Sequence, residues 1–255
     1  DESDRGRIQQ FLGKWQGSEG NERANYQGFF LDLCEALGVE KPHPKGSQPD
    51  DPYCFDKDIK FYSDKKESTK FADFYKQGCF LIEAKQGSNS SNKGHGKRGT
   101  KVYLDNMQGA FNQAKSYAYN RMLGSLPPFL MTCDIGSHFE VWEGFDGEYG
   151  SYGARQRVEL KAFENPEVFD RFVNIFTDPQ ALNPEKYRAR VTREVATELA
   201  KLSRWLEKNA PHPLTSSPRA GEGGPEADGR ATSDLPSPSL VEGPGVRAEA
   251  TSSNT

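Results

Sequence analysis

Asp73, Glu83 and Lys85 are the residues of this chain whose types and spacing suit hydrolytic chemistry, and all three lie in Phe71–Gly87, FADFYKQGCFLIEAKQG. The stretch predicts a β-hairpin. Phe71–Tyr75 is a short strand, Lys76-Gln77-Gly78 a polar turn with glycine last, and Cys79–Lys85 a second strand. Cys79–Ile82 is an apolar run of the kind found where a strand is covered on both faces. Glu83 and Lys85 are two residues apart, so both side chains leave one face of the strand while Ala84 points the other way. Asp73 comes alongside them if the hairpin closes near Gln77-Gly78.

Two carboxylates and an ammonium at the edge of a buried hairpin are costly without a partner. A hard divalent cation is the natural one. Asp73 and Glu83 would supply oxygen ligands and the Ala84 carbonyl a third, with substrate phosphate and water completing the shell. Lys85 would stand beside a water on that cation, orienting it or helping it lose a proton for attack on phosphorus. The bare acid-any-lysine pattern carries little weight, because it recurs at Asp58-Lys60, Asp64-Lys66 and Glu159-Lys161. Only Glu83-Lys85 joins it to an apolar lead-in, an acid on the neighbouring strand and a polar signature on the helix that follows. The plain alternative is a surface hairpin whose Glu and Lys pair in solvent, which stabilises little.

The elements around the hairpin must position these groups. Residues 3–16 predict a helix, with Ile8, Phe11, Leu12 and Trp15 on one face. A second helix is expected from about Glu19 to Leu37, stopped by Gly38, with Tyr26, Phe29, Phe30, Leu33 and Leu37 as its stripe. Glu22 projects onto that stripe. It is either in the exposed first turn, favoured by the helix dipole, or aimed at something cationic. After a proline-rich loop, Tyr53–Tyr62 alternates as a strand leading into the hairpin.

Gln86–Gly99, QGSNSSNKGHGKRG, reads as a mobile loop and carries the chain's clear basic cluster, Lys93, Lys97 and Arg98, with His95. Because it leaves directly from the hairpin, it is expected to clamp phosphates, against the alternative of a solvated insertion. His95, a lone histidine among glycines, is a weak ligand candidate. Residues 105–123 predict a helix with Met107, Ala110, Phe111, Ala114, Ala118 and Met122 inward, on which Gln113 and Tyr117 sit one above the other. Phe129–Cys133 and His138–Trp142 read as further strands. Asn165-Pro166 and Asn183-Pro184 each start a helix in the preferred order of cap and first residue. The second of these carries Tyr187, Val191, Val195, Leu199, Leu202 and Leu206 along one face, which needs a partner surface. From Pro211 the composition turns to Gly, Pro, Ser and acids without an aromatic residue, predicting a disordered tail over 211–255.

The 255 residues carry a formal net charge of −4, so no global basic field advertises nucleic acid, and any such binding must come from a local patch. The four cysteines, Cys34, Cys54, Cys79 and Cys133, show no CxxC spacing and sit mostly in apolar runs, as expected of reduced thiols in a cytoplasmic protein. No stretch is long and apolar enough to span a membrane.

Asp73, Glu83-Ala84-Lys85 and Gln113…Tyr117 together resemble the PD-(D/E)XK nuclease core with the QxxxY element of its RecB-like branch. More specifically, the chain resembles the N-terminal nuclease region of type IIL (MmeI-like) restriction-modification enzymes. The supporting stretches are Phe11–Trp15, Glu22–Gln27, Phe29–Gly38, Phe71–Gly87 and Pro127–Asp134, and the resemblance covers residues 8–210. It implies an α/β fold over 1–180, a mixed sheet of four or five strands flanked by helices, with the start of a helical spacer over 181–210. It further implies a Mg²⁺-dependent endonuclease on double-stranded DNA, with Mn²⁺ as a substitute. Asp73 and Glu83 carry over as metal ligands, Lys85 as the catalytic lysine, Gln113 and Tyr117 as the accessory motif, and Glu22 as a helix acid near the metal.

Such enzymes continue into an S-adenosylmethionine-dependent adenine methyltransferase and a target-recognition domain. Nothing here resembles the glycine-rich cofactor loop or the Asn-Pro-Pro-Tyr motif of that methyltransferase, so S-adenosylmethionine is not expected to bind. The chain is expected to be a fragment that lacks those domains and pairs with a separate methyltransferase chain or a second nuclease copy. Two other classes stay open. A non-catalytic DNA-binding scaffold would keep binding when Glu83 is replaced. A standalone repair or recombination nuclease would cut single-stranded or branched DNA.

Overall fold

The computed structural model describes residues 2–63, 66–91, 94–145 and 152–209. Its elements are α1 (Glu2–Trp15), α2 (Glu22–Leu37), β1 (Tyr53–Ser63), β2 (Lys66–Lys76), β3 (Phe80–Lys85), α3 (Lys101–Ala118), β4 (Phe129–Asp134), β5 (His138–Glu143), β6 (Gln156–Glu159), α4 (Pro166–Thr177) and α5 (Pro184–Asn209). Asp1–Glu207 is one compact unit; of a second, Lys208–Thr255, only Lys208 and Asn209 at the end of α5 are described, and the tail expected over 211–255 lies outside the described residues.

The six strands form one mixed sheet in sequence order, β1-β2-β3-β4-β5-β6. Every neighbouring pair is antiparallel except β3 and β4, which run parallel because α3 crosses over between them. Alternation then sorts the side chains. Phe80, Ile82 and Ala84 enter a core with α1, α2 and α4, while Leu81 enters a smaller one beneath Ala114, Tyr117 and Ala118 of α3. The larger core is aromatic-rich, with Phe74 stacking near Phe30 at 4.9 Å and Phe80 near Phe176 at 4.5 Å between ring centroids. This is the expected mixed sheet flanked by helices and followed by a helical extension. It has one strand more than expected, because β6 is only four residues long and its pattern is too short to register as a period.

Local chemistry sets the boundaries. Gly38 ends α2 with φ 68°, its N–H bonding back to the last turn, as its position predicts. Asn165 and Asn183 cap α4 and α5 through their side-chain oxygens. Two helix starts differ from expectation. α2 begins at Glu22, not Glu19, because Asn21 provides the cap. α3 spans Lys101–Ala118 instead of 105–123, because Thr100 caps it and Asn120 caps a 3-10 turn beyond it. Met122 therefore falls outside the helix and is exposed. All four cysteines are free and buried. Among the described residues no helix is long and apolar enough to cross a membrane.

Candidate active site

The β2–β3 ladder pairs Phe74 with Ile82, Tyr75 with Leu81 and Lys76 with Phe80, and stops there. The next level in register brings Asp73 opposite Glu83. Instead of continuing the backbone ladder, the Asp73 carboxylate accepts the Ala84 N–H at 2.7 Å. The strand pair thus opens at the point where its two acids face each other. Glu83 is fully buried. One of its oxygens accepts from Gln113 Nε2 at 2.8 Å, and the other, Oε1, is buried with no hydrogen-bond partner. A carboxyl oxygen left bare in a protein interior is an unsatisfied polar group, open to a proton or a cation.

Lys85, 13% exposed in its side chain, donates to the Ala84 carbonyl at 2.6 Å and lies 3.7 Å from Glu22 Oε1. Glu22 is the first residue of α2, and its other oxygen contacts His95 Nε2. Glu22 thus stands in the first turn of α2, partly buried, and faces Lys85 and His95. Tyr117, one turn beyond Gln113, is buried, and its hydroxyl is pushed up to about 12 by burial and by Glu83. Burial, Glu22 and Asp56 raise Asp73 to about 6 against the opposing pull of the Ala84 N–H and Lys85. Burial, then Asp73, drives Glu83 well above the ordinary carboxylate range. Asp73, Glu83, Ala84, Lys85, Gln113, Tyr117 and Glu22 therefore converge on one end of the sheet.

Among the described residues no group of three or more His, Cys, Asp or Glu is placed to hold a metal ion. Two desolvated acids with one bare oxygen suit a different kind of guest, a Mg²⁺-like cation that keeps most of its waters and needs only one or two carboxylates.

The loop after β3 is arranged differently from the mobile clamp expected. The Glu19 carboxylate accepts from Ser88 Oγ, the Asn89 N–H and Ser90 Oγ, and the loop's two sides bond across Ser88–Gly96 and Gln86–His95. Gly94 is needed there: its φ is +64°, and a Cβ would stand 2.8 Å from the Gln86 carbonyl. Arg98, expected on phosphate, turns inward. Its guanidinium grips fully buried Asp134 through Nε at 2.7 Å and Nη2 at 3.0 Å, and also donates to the Ile135 carbonyl and Asn89. Tyr103 Oη and the Gly87 N–H complete the bonds to Asp134. With these partners the guanidinium is turned into the protein, whereas Lys97 stays exposed. Lys93 lies outside the described residues.

Sequence reasoning set His95 aside and did not single out Asp134, Glu19 or Asp56. An acid ending a strand parallel to β3, directly before an Ile-Gly turn, was the available signal for Asp134.

His138 sits near this network, 1% exposed, and burial together with Arg157 lowers its ring to about 4. Its folded pKa is below the unfolded one, so the stability of the neutral ring is full above pH 6.5 and is lost as pH falls toward 4, at about 1.4 kcal/mol per unit. His138→Gln is expected to remove that contribution, so that urea midpoints fall more with rising pH over this window than in wild type; an unchanged profile would show the ring to be reachable by solvent.

A protein-family model described as MmeI, N-terminal domain, matches residues 4–209. No curated protein and no solved structure matches the chain.

Proposed function

We propose that this chain, which belongs to the MmeI N-terminal domain family, is a divalent-metal-dependent DNA endonuclease domain of a restriction-modification system. The observation that carries the proposal is the facing pair Asp73–Glu83, one of whose buried carboxyl oxygens is bare, with Lys85 two residues on along the same face of β3. Asp73 and Glu83 would hold Mg²⁺, or Mn²⁺ in its place, with the Ala84 carbonyl and Glu22 close by. When bound, the cation supplies Lewis-acid polarisation of the scissile phosphate and neutralises its charge. Gln113 keeps Glu83 in its rotamer, and Tyr117 packs under it against Phe61 at 6.0 Å. Lys85, fixed on the Ala84 carbonyl, orients the attacking water and stabilises the negative charge that builds on the phosphate oxygens.

Supercoiled plasmid incubated with Mg²⁺ or Mn²⁺ tests the proposal. Wild-type protein is expected to nick or linearise it, and Lys85→Ala to reduce the rate by about a hundred- to a thousandfold, the scale of losing a main electrostatic stabiliser. Cleavage that survives in Lys85→Ala would locate the chemistry elsewhere or in a contaminant.

A scaffold role beside a separate methyltransferase chain is the second reading. The observation that favours it is α5, which exposes Tyr187, Val195, Leu199, Leu202, Trp205 and Leu206 and buries none of its residues. That reading predicts no cleavage with either metal and DNA or partner binding that is indifferent to Glu83→Ala.

A further inference from the structure

Asp56 lies in the middle of β1 with φ 51°, a left-handed backbone in a run of otherwise extended residues. Such a conformation costs a non-glycine residue on the order of 1–3 kcal/mol and persists only where its surroundings impose it. Its surroundings here are specific. Tyr26 Oη donates to Asp56 Oδ2 at 2.8 Å, Gln27 Nε2 donates to the same oxygen at 3.3 Å, and Lys45 Nζ donates to the Asp56 carbonyl at 2.6 Å. Both side-chain donors come from α2, four and five residues after Glu22.

The β1–β2 register shows what the unusual residue does. Phe55 pairs with Phe74 and Lys57 with Ala72, so no residue is inserted, but the pair between them, Asp56 with Asp73, is missing from the ladder. The facing of the ribbon reverses at this level. Phe55 and Phe74 pack against α2, with Phe30 at 6.5 and 4.9 Å between centroids. Ile59 and Ala72, which share their parity along the strands, pack in the other core beneath α3. In a regular strand residues an even number apart share a face. The left-handed residue on β1 stands at the level where the facing reverses without a change of register. Asp73 sits at the reversal on β2, released from both neighbouring ladders and free to turn its carboxylate onto the Ala84 N–H.

We infer that Asp56 is a positioning residue of the candidate centre: its left-handed backbone, tied to α2 through Tyr26 and Gln27, reverses the β1–β2 ribbon and thereby presents Asp73 opposite Glu83. The inference rests on the nuclease reading for its significance, but its geometry is testable without activity. It makes the backbone the working part and the carboxylate the tie that secures it. Glycine keeps the left-handed option and loses the charge; glutamate keeps the charge and loses the preference that Asp and Asn have for that region.

The experiment is residue-resolved amide exchange of metal-free wild type, Asp56→Gly and Asp56→Glu, read at Ala84, whose N–H reports directly on Asp73. Asp56→Gly is expected to keep Ala84 protection within about threefold, and Asp56→Glu to lose more than about tenfold there while amides elsewhere in the sheet keep theirs. Any other pattern overturns the inference: retention in both variants, loss in both, or loss in the glycine variant alone. Mn²⁺ calorimetry on wild type and Asp73→Asn is run beside it. Wild type without Mn²⁺ binding would sink the nuclease reading while the exchange pattern still decides the role of Asp56.

Discussion

Asp134→Ala is expected to destabilise the protein by about 3–5 kcal/mol, the range for removing one partner of a buried ion pair. The variant leaves the Arg98 guanidinium, 13% exposed, without its principal acceptor, and strands Tyr103 Oη and the Gly87 N–H in the interior. For a chain of this size the melting temperature should fall by on the order of 10 °C. Arg98→Ala should do similar damage, and the double variant less than the sum, since each single change already removes the shared interaction. Lys97→Ala, one residue earlier on an exposed side chain, should stay within about 0.5 kcal/mol. A loss below about 1 kcal/mol for Asp134→Ala would mean that the pair is screened by solvent. The same bonds would then not be what holds the loop beside Glu22.

Asp73→Asn should have the opposite effect on stability and remove function. In metal-free protein Asp73 is raised to about 6, first by burial, with Glu22 and Asp56 adding to the rise. Its folded pKa therefore exceeds its unfolded value near 4, and the folded state holds a proton over that interval which the unfolded chain has released. Stability is full below pH 4 and is lost as pH rises through 6, at about 1.4 kcal/mol per unit or about 3 kcal/mol in all. Asparagine, which can still accept the Ala84 N–H, is expected to recover most of that at pH 7.5 and nothing at pH 4. This window overlaps that of His138 with the opposite sign, while Glu83, raised in the same direction as Asp73, adds to the Asp73 side, so stability of the asparagine variant should rise more with pH between 4 and 6 than that of wild type. Mn²⁺ should raise the melting temperature of wild type and leave the variant unmoved, and plasmid cleavage should disappear. A variant less stable than wild type at pH 7.5 would show that Asp73 is satisfied without a cation. Sites that hold charge against the fold until a ligand arrives show this exchange of stability for activity.

Much of this site is legible from residue types in order. Phe71–Gly87 announces a hairpin because an apolar run, a glycine turn and an acid-any-lysine step leave few other conformations, and Gln113 and Tyr117 share a helix face through their spacing alone. Residue order is therefore informative about local features: strand and helix types, the caps at Gly38, Asn165 and Asn183, and the common face of Glu83 and Lys85. Periodicity and capping act within a few residues and need no knowledge of the rest of the chain.

Which charges meet depends on the folded arrangement. Arg98 reads as a phosphate contact because basic residues among glycines usually face water, yet Asp134, 36 residues away, draws it inside. Glu22 finds Lys85 and His95 across separations that no spacing rule spans. Asp56 looks like any other polar residue of β1, and the Tyr26 and Gln27 side chains that hold it come from α2, 30 and 29 residues away. The energies involved explain the division. Backbone preferences of a few tenths of a kcal/mol accumulate along a segment and can be read from it. A buried charge costs several kcal/mol and is placed wherever the folded chain brings it a partner.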